Sequence, residues 1–384
     1  MNGFKIKYVF FLFCLCMGSA NAFSQATGYY EEIPFEWERN KIIVQVTVEG
    51  VKGRYIFDTG ASMCITHSRM EKCGDKHFSE QTVTDAHGKE ASFREVVMES
   101  VKLGSVDFRN VPALVLGKGH LLECYGVDGI IGSSLFPASV IRIDVARKIL
   151  TLTDGTARLG LNPRTVMPLM LDRQNIPYIV LNLGEGQEEK VMFDTGAPAF
   201  YEMNEPTYQA LKSRTLMKTT STGFGILGMG IGGLEKAMVK YRLELAEVRI
   251  GMGKFKRVTV ETMNGPGSRI GAGLLEYGVV TLDYPGNKFY FEPFNATPVD
   301  LSRKEWNVAI TVSGDSLVIG CVWESMRDEL KSGERVVAVN GQRVGSIDPC
   351  TALTSSVIKM EGEEATISVV DEQGMEKEVV IRKE

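Results

Sequence analysis

The sequence predicts a mainly β protein, in which two similar β lobes are followed by a smaller α+β domain. The many glycines of the 384-residue chain separate short β-branched and aromatic runs, a pattern typical of strands joined by turns. A strand–turn–strand segment occurs twice, and a segment of mixed pattern follows the second copy. A chain of this length has room for two or three domains.

The chain begins with a predicted secretory signal peptide, residues 1–22. It reads "MNGFKIK", then the apolar "YVFFLFCLCMG", then the small-residue cleavage site "SANA" that ends at Ala22. The apolar run is too short to cross a bilayer. We therefore expect a periplasmic or secreted protein with no membrane anchor after signal cleavage.

The first half of the repeat is a predicted β-hairpin that ends in an aspartate. "KIIVQVTVEGVKGRYIFDTGAS" (41–62) matches "IPYIVLNLGEGQEEKVMFDTGAP" (176–198). In each copy two apolar runs flank a Glu-Gly turn, and the second run closes with Phe-Asp-Thr-Gly-Ala.

The second half of the repeat follows in the same order. "GIIGSSLFPASVIRIDVARKILTL" (129–152) matches "RIGAGLLEYGVVTLDYPGNKFYF" (269–291). Each copy has Ile-Gly, then a strand that reaches an aspartate, a turn and another strand. Two matches in one order predict two lobes, 28–160 and 163–296.

The remaining residues, 300–384, have their own strand and helix pattern. Two alternating strands surround Gly314-Asp315, a short helix-like run "PCTALTSSVIKM" follows, and two strands end the chain. This length suffices for a small α+β domain.

The repeated Asp-Thr-Gly predicts a catalytic pair of carboxylates. A single copy would be read as a turn, but two copies in similar lobes bring Asp58 and Asp194 face to face across a pseudo-two-fold axis. Two carboxylates about 3 Å apart share one proton, because both cannot ionise. Such a pair provides an acid and a base for activating water, and requires no metal or cofactor.

These residues resemble the aspartic peptidases of the pepsin and retropepsin type, and most closely bacterial two-lobed members with a C-terminal PDZ-like domain. The Asp-Thr-Gly-Ala motifs, the Ile-Gly elements and the lobe repeat carry the resemblance. It implies that Asp58 and Asp194 form the catalytic dyad. It also implies dyad support, with threonines bracing the motifs and glycines turning the chain beneath them, from Thr59, Gly60, Thr195 and Gly196.

Two features depart from pepsins. Both motifs carry alanine, Ala61 and Ala197, where pepsins have a hydroxyl that bonds an aspartate. Losing a hydrogen bond to the ionised form raises a carboxyl pKa, so we expect activity nearer neutral than strongly acidic pH. Pro198 in the second motif replaces Ser62 of the first, so the two lobes differ at the site.

Two segments are candidate flaps over the cleft. The hairpin "QTVTDAHGKEASFREVVM" (81–98) has His87 and Gly88 at its tip and lacks the tyrosine of pepsin-like flaps. "GFGILGMGIGGLEKAMVKY" (223–241) resembles a retropepsin flap. We interpret its GxGxxG pattern as a lid rather than a dinucleotide site, because no apolar strand precedes it and no helix pattern follows. The candidate flap glycines of this segment are Gly228, Gly230, Gly232 and Gly233.

The C-terminal segment resembles a PDZ domain around "DELKSGERVVAVNGQRV", with Asn340-Gly341 as a turn. A PDZ groove binds an extended peptide at a sheet edge. The stretch 303–309, "RKEWNVA", lacks the glycines of a carboxylate-binding loop. The missing glycines weigh against binding of free C-termini, and packing on the lobes or holding an internal peptide is an equal alternative for this segment.

The cysteines and histidines indicate no metal site. Five cysteines follow the signal peptide, and an odd number cannot all pair. Cys64 with Cys73, and Cys321 with Cys350, are candidate disulfides, and buried free thiols are the alternative. The spacing of the histidines favours solvated loops over a ligand cluster; they are His67, His77, His87 and His120.

The predicted function is that of an exported aspartic endopeptidase, which hydrolyses peptide bonds through a water held between two aspartates. We expect a peptide or protein substrate and a monomer, because one chain supplies both aspartates. A nucleic-acid partner is not expected, since the net charge is −5 and no basic patch occurs. The alternative is a catalytically silent peptide-binding protein of the cell envelope.

Overall fold

The computed structural model describes residues 28–74, 76–84, 88–348, 350–351 and 360–384. The fold is mainly β, as predicted. The predicted signal peptide lies outside the described residues. Within the described part, no helix has the length and apolar character needed to span a membrane.

The described residues of the N-terminal segment, 28–160, form ten strands and a short helix. The helix α1 is His67–Met70. The strands are β1 (Tyr30–Glu38), β2 (Lys41–Val48), β3 (Val51–Asp58), β4 (Cys64–Ile65), β5 (Ser79–Thr84), β6 (Glu90–Leu103), β7 (Val106–Val115), β8 (Gly129–Gly132), β9 (Val140–Asp144) and β10 (Ile149–Thr153).

The central segment, residues 163–296, has thirteen strands and helix α2, Glu205–Leu211. The strands are β11 (Val166–Pro168), β12 (Met170–Leu171), β13 (Pro177–Asn182), β14 (Glu188–Asp194), β15 (Tyr201–Asn204), β16 (Met217–Gly225), β17 (Met229–Gly230), β18 (Gly233–Leu234), β19 (Met238–Ile250), β20 (Gly253–Met263), β21 (Arg269–Gly271), β22 (Gly278–Asp283) and β23 (Lys288–Pro293).

The described residues of the C-terminal part form seven further strands. They have their own apolar core, which includes Ile319, Ile367 and Ile381. The strands are β24 (Val299–Asp300), β25 (Val308–Ser313), β26 (Ser316–Trp323), β27 (Arg335–Val339), β28 (Gln342–Arg343), β29 (Glu364–Val370) and β30 (Glu376–Arg382). Short 3₁₀ turns connect strands in all three parts, at Glu71–Cys73, Leu121–Tyr125, Ser133–Leu135, Thr156–Arg158, Pro163–Thr165, Ala272–Glu276 and Glu324–Met326.

Both aspartate-bearing hairpins form where the repeat predicts them. Strand β2 pairs with β3, and β13 pairs with β14, both antiparallel. The Glu-Gly turns have left-handed backbones, with φ of 49° at Glu49 and 77° at Gly50, and 51° at Glu185 and 73° at Gly186. Positive φ at two successive residues matches the right-handed twist of hairpin strands, and glycine adopts it without steric cost.

Each aspartate strand then runs parallel to its Ile-Gly strand. Asp58 at the end of β3 lies opposite Gly132 of β8, and Asp194 at the end of β14 lies opposite Gly271 of β21. The phenylalanine before each aspartate, Phe57 or Phe193, is buried in the large core. Burying a side chain of this size contributes about 1.5–3 kcal/mol to the free energy of unfolding. Each phenylalanine therefore fixes its Asp-Thr-Gly motif to the core.

One sheet continues from the N-terminal segment into the central segment. Strand β9 pairs antiparallel with β22, with Ile143 opposite Val280 and Val140 opposite Asp283. The strands that follow the two Ile-Gly elements therefore join the two repeated segments by main-chain hydrogen bonds beneath the motifs.

Two strand pairings and a disulfide attach the described C-terminal residues to the other two parts. Strand β24 runs parallel to β20, with Val299 opposite Phe255. Strand β26 pairs antiparallel with β16, with Trp323 opposite Gly223 and Cys321 opposite Gly225. A disulfide joins Cys124 of the N-terminal segment to Cys350.

This disulfide corrects the sequence-based pairing. Neither Cys64–Cys73 nor Cys321–Cys350 forms; Cys64 and Cys321 are buried free thiols and Cys73 is free and partly buried. Cys321 lies opposite Gly225 where β26 pairs with β16, and it is buried there. Cys124 and Cys350 are 226 residues apart in sequence, and only the docking of the C-terminal part brings them together.

Candidate active site

The two Asp-Thr-Gly motifs meet face to face. A Cβ placed on Gly60 would lie 2.6 Å from the carboxyl carbon of Asp194, and one on Gly196 would lie 2.2 Å from Oδ2 of Asp58. Each glycine therefore packs against the aspartate of the opposite motif. Only the absence of a side chain at both positions lets the two carboxyls approach this closely.

Reciprocal threonine hydrogen bonds hold the motifs together. The N–H of Thr59 donates to Oγ1 of Thr195 at 3.0 Å, and the N–H of Thr195 donates to Oγ1 of Thr59 at 3.0 Å. Each hydroxyl in turn donates to a carbonyl across the junction, of Phe193 at 2.6 Å and of Phe57 at 3.0 Å. Both threonines are fully buried, so these four bonds fix the relative position of the two strand ends.

The two aspartates have different surroundings. Oδ1 of Asp58 accepts the N–H of Gly60 at 2.8 Å. Oδ1 of Asp194 accepts the N–H groups of Gly196 at 2.9 Å and Ala197 at 3.2 Å. Burial raises the pKa of Asp58, and the charge of Asp194 and the hydrogen bond between the two carboxyls raise it further. The pair therefore holds a proton well above the pH at which an isolated carboxyl would release it.

Two basic side chains beside the aspartates were not predicted from the sequence. Nη1 of Arg269 lies 3.3 Å from Oδ2 of Asp194, and its Nε donates to Glu202 at 2.6 Å. Nζ of Lys41 donates to the carbonyl of Gly196 at 3.0 Å. Burial lowers the pKa of Lys41, although the charges of Asp58 and Asp194 oppose this effect.

The repeat contained a signal for both basic residues. The strand registers make Lys41 equivalent to Ile176 and Arg269 equivalent to Ile130. In each pair one copy is apolar and the other is charged, and all four side chains line the same cleft. Where one copy of a repeat has a buried isoleucine and the other has a charged residue, the two lobes differ in charge at that point of the cleft.

The cleft above the aspartates has a volume of about 440 Å³. Its walls are mainly apolar, and the two carboxyls lie at its base. A pocket of this size and lining takes apolar side chains and positions them with a few polar groups. Its apolar wall residues include Ile56, Val83, Leu114, Leu122, Tyr125, Ile130, Ile176 and Ile231.

The two candidate flaps both approach this cleft. Strands β5 and β6 form the first hairpin, and Val83 of β5 lines the cleft. Its tip residue His87 lies outside the described residues; Gly88 is exposed with φ of 75°. Strands β17 and β18 form the second hairpin, residues 229–234. Three of its glycines line the cleft, Gly230, Gly232 and Gly233, whereas Gly228 precedes the hairpin.

The flap tips touch each other and the opposite wall. Lys89 of the first hairpin donates to the carbonyl of Gly232. Nε2 of His120 lies 2.9 Å from the carbonyl of Ile231, while its Nδ1 accepts the N–H of Leu122. Because a backbone N–H only donates, Nδ1 is the acceptor, and Nε2 carries the hydrogen directed at Ile231. His120 was interpreted from sequence as a loop residue; it links the second flap to the cleft wall.

A buried ion pair braces the second flap from within. Oε1 of Glu235 accepts the N–H groups of Leu227 at 2.8 Å and Gly228 at 2.9 Å. Its carboxylate also pairs with Lys240 at 2.8 Å, and both side chains are almost fully buried. This bracing explains how Gly228 contributes to the flap without lining the cleft.

The difference between Ser62 and Pro198 places different groups at the two motifs. Ser62 lines the cleft, whereas Pro198 is exposed and its carbonyl accepts the side-chain amide of Asn40 at 3.2 Å. Outside the cleft, His67 lies beside Glu71 and His77 is exposed. In the part of the chain that the structure describes, no group of three or more His, Cys, Asp or Glu side chains is placed to hold a metal ion.

One family model matches part of the chain. Residues 44–135 match the family model for aspartyl proteases. The matched region contains Asp58 and the first Ile-Gly element, and supports an aspartic protease family for this part of the chain.

A solved structure gives a further likeness. The crystal structure of a retropepsin-like aspartic protease from Rickettsia conorii is 22% identical in sequence, with a TM-score of 0.24. The likeness covers 34% of this chain and 93% of that chain. No curated protein matches the sequence.

Proposed function

We propose that this chain is an exported aspartic endopeptidase in which Asp58 and Asp194 form the catalytic dyad. The observation that carries the proposal is the mutual contact of the motifs, in which Gly60 packs on Asp194 and Gly196 packs on Asp58. This arrangement brings the partly buried carboxyl of Asp58 and the buried carboxyl of Asp194 within hydrogen-bond reach at the base of an apolar cleft. The proposed reaction uses a water and no metal or cofactor.

The chemistry follows from one shared proton. A water between the carboxyls loses a proton to the ionised aspartate as its oxygen bonds the scissile carbonyl carbon. The protonated aspartate hydrogen-bonds and then protonates the carbonyl oxygen, which stabilises the tetrahedral intermediate. Collapse of the intermediate breaks the C–N bond, and the amine leaves with the proton taken from water. Because burial raises the pKa of Asp58, this proton-sharing state extends upward in pH, which supports activity nearer neutral than strongly acidic pH.

The flaps would complete the site by excluding water. Gly230, Gly232 and Gly233 carry no side chain, so backbone can approach a bound peptide closely. Excluding water strengthens the electrostatic interactions inside a closed cleft. The apolar walls favour peptide or protein substrates with apolar side chains on either side of the scissile bond.

The proposal includes two pseudo-symmetric lobes, 28–160 and 163–296, and a PDZ-like domain, 300–384. Matching hairpins and matching parallel pairs around Asp58 and Asp194 support the two lobes. The turn at Asn340-Gly341, with φ of 48° and 76°, is consistent with the PDZ-like domain. The pairing of β26 with β16 supports packing on the second lobe as the role of this domain.

Export and a monomeric state complete the proposal. The sequence pattern of residues 1–22 supports cleavage after Ala22 and a periplasmic or secreted location. One chain supplies both aspartates, so the site requires no second copy.

The test is cleavage of an unfolded protein or a peptide library by the purified protein. Asp58→Asn should abolish cleavage. Asp144→Asn is the matched control, because Asp144 also ends a strand, and among the described residues its carboxylate bonds only the N–H of Arg147 in its own turn. Binding without cleavage by the unaltered protein would favour the silent peptide-binding alternative, and cleavage that survives Asp58→Asn would contradict the proposed dyad.

A further inference from the structure

We propose that Arg269 is a positioning residue that gives the two aspartates different roles. It holds Asp194 as the carboxylate that receives the proton of water and leaves the shared proton on Asp58. This inference rests on the proposed function, and it is carried by the contacts of Arg269, Asp194 and their equivalents in the other repeat.

Arg269 is fixed between two acidic side chains. It is 8% exposed, its Nη1 lies 3.3 Å from Asp194, and its Nε is bonded to Glu202 at 2.6 Å. Burial alone would lower the pKa of Arg269, but the charges of Glu202 and Asp194 raise it. The guanidinium is therefore a permanent positive charge, and Glu202 sets its direction toward Asp194.

Asp58 lacks an equivalent of this guanidinium. Its strand β3 pairs with β8 so that Ile131 lies opposite Phe57, just as Ile270 lies opposite Phe193. The position equivalent to Arg269 is therefore Ile130, an isoleucine. The site thus gives Asp194 a cation where it gives Asp58 an apolar side chain.

Backbone donors show the same asymmetry. Asp194 accepts two N–H groups, from Gly196 and Ala197, whereas Asp58 accepts one, from Gly60. The N–H of Ala61 donates to the main-chain carbonyl of Asp58 at 3.4 Å, whereas the N–H of Ala197 is shared between the main-chain carbonyl of Asp194 and its carboxylate, each at 3.2 Å. Hydrogen bonds donated to a carboxylate favour its charged form, so the donors and the guanidinium both place the negative charge on Asp194.

The other charged or titratable groups near the pair do not reverse this assignment. Lys41 faces both carboxyls, but among the described contacts it forms no ion pair with either, and its hydrogen bond goes to the carbonyl of Gly196. The thiol of Cys64 is buried, which raises its pKa to about 12, so it carries no charge at neutral pH. The charge of Lys41 lowers the pKa of Asp58, but burial and the neighbouring Asp194 raise it by more, so Asp58 keeps its proton.

The consequence is a fixed direction of proton flow. The water O–H bond breaks toward Asp194, its oxygen bonds the carbonyl carbon, and Asp58 gives its proton to the carbonyl oxygen. On collapse, the C–N bond breaks, the amine takes the proton from Asp194, and Asp58 recovers its proton as the carbonyl re-forms. The pair returns to its starting state in every turnover.

The test compares Arg269→Met, Arg269→Lys and the control Glu202→Gln in kcat/KM over pH. Removing an adjacent arginine shifts a carboxyl titration by about 1–3 pH units. We therefore expect the acidic limb of the Arg269→Met profile to move to higher pH by about that amount, and Arg269→Lys to restore most of it. Glu202→Gln keeps an oxygen that accepts the Nε–H of Arg269, and it keeps the charge of Arg269, so its acidic limb should not rise. A lower rate with an unmoved acidic limb in Arg269→Met would mean a structural role only and would overturn the proposal.

A second measurement remains informative if the protein cleaves nothing. Carbon-13 NMR of the aspartate carboxyls, assigned with Asp58→Asn and Asp194→Asn, reports where the proton lies in the full-length protein. We expect a protonated Asp58 and an ionised Asp194 at neutral pH, and a first protonation of the pair at higher pH in Arg269→Met than in the unaltered protein. A proton on Asp194, or no change in Arg269→Met, would overturn the inference, whereas absence of cleavage alone would contradict only the proposed function.

Discussion

Replacing Gly196 by alanine should disable the site while leaving the fold intact. The added Cβ would lie 2.2 Å from Oδ2 and 2.4 Å from the carboxyl carbon of Asp58. Real Cβ contacts are almost never shorter than 3.0 Å, so the Asp58 carboxyl or the turn must retreat by about 0.8 Å or more. The neighbouring carboxyl of Asp194 and the hydrogen bonds of the paired threonines resist this shift.

The expected loss follows from the size of that displacement. Misplacing a reacting group by about 1 Å costs on the order of 100-fold in rate, or about 2.7 kcal/mol of transition-state stabilisation. The assay is kcat/KM on a peptide substrate, with thermal unfolding to check the fold. Gly155→Ala is the matched control, because a Cβ at Gly155 meets no atom within 4 Å and its φ is −167°. Wild-type kcat/KM in Gly196→Ala would refute the view that the two motifs are in close contact.

Three further predictions concern stability. Thr195→Val leaves the buried N–H of Thr59 without its acceptor, which costs about 1–3 kcal/mol of unfolding free energy, measured by denaturant unfolding. The control Thr297→Val, at an exposed position, should change this free energy by less than about 0.5 kcal/mol. Burial raises the folded-state pKa of Asp58, so the stability that its proton contributes is complete below the unfolded value of about 4 and is lost as pH rises toward the folded value. Asp58→Asn should therefore gain melting temperature over the unaltered protein across that range, and a difference independent of pH would contradict this. Cys124→Ser opens the disulfide to Cys350 and should cost about 2–4 kcal/mol, whereas the free-thiol variant Cys73→Ser should cost less, and equal costs would count against the bridge.

The sequence alone was sufficient for the repeated parts of the fold. Local pattern determines the hairpins that end at Asp58 and Asp194, because alternating apolar residues and a Glu-Gly turn specify register over a few residues. The same reasoning placed the Ile-Gly strands and the strands that follow them.

What the sequence did not predict depends on contacts between distant parts of the chain. Strand β9 pairs with β22, and β26 pairs with β16. The local sequence pattern of each strand predicts the strand itself but carries no information about which distant strand it pairs with. The Cys124–Cys350 disulfide depends on that docking, so spacing along the chain favoured the wrong partners.

The candidate site was predicted in its symmetric part only. A repeat directs attention to residues that match, and therefore to the two Asp-Thr-Gly motifs. Arg269 and Lys41 stand where the other copy has Ile130 and Ile176, and such mismatches acquire meaning once all four side chains are seen to line one cleft. The role of His120 was likewise not predicted, because its hydrogen-bond partner Ile231 is more than a hundred residues away in sequence.

The most direct test of the central claim measures cleavage by Asp58→Asn, Asp194→Asn and the double variant. General acid–base groups contribute about 10²–10⁴-fold, and residues that act as one unit give losses that do not multiply. We predict that each single variant loses at least about 10²-fold in kcat/KM, and that the double variant loses little more than either one. A single variant that keeps nearly full activity, or a double variant whose loss equals the product of the two, would contradict a dyad that shares one proton.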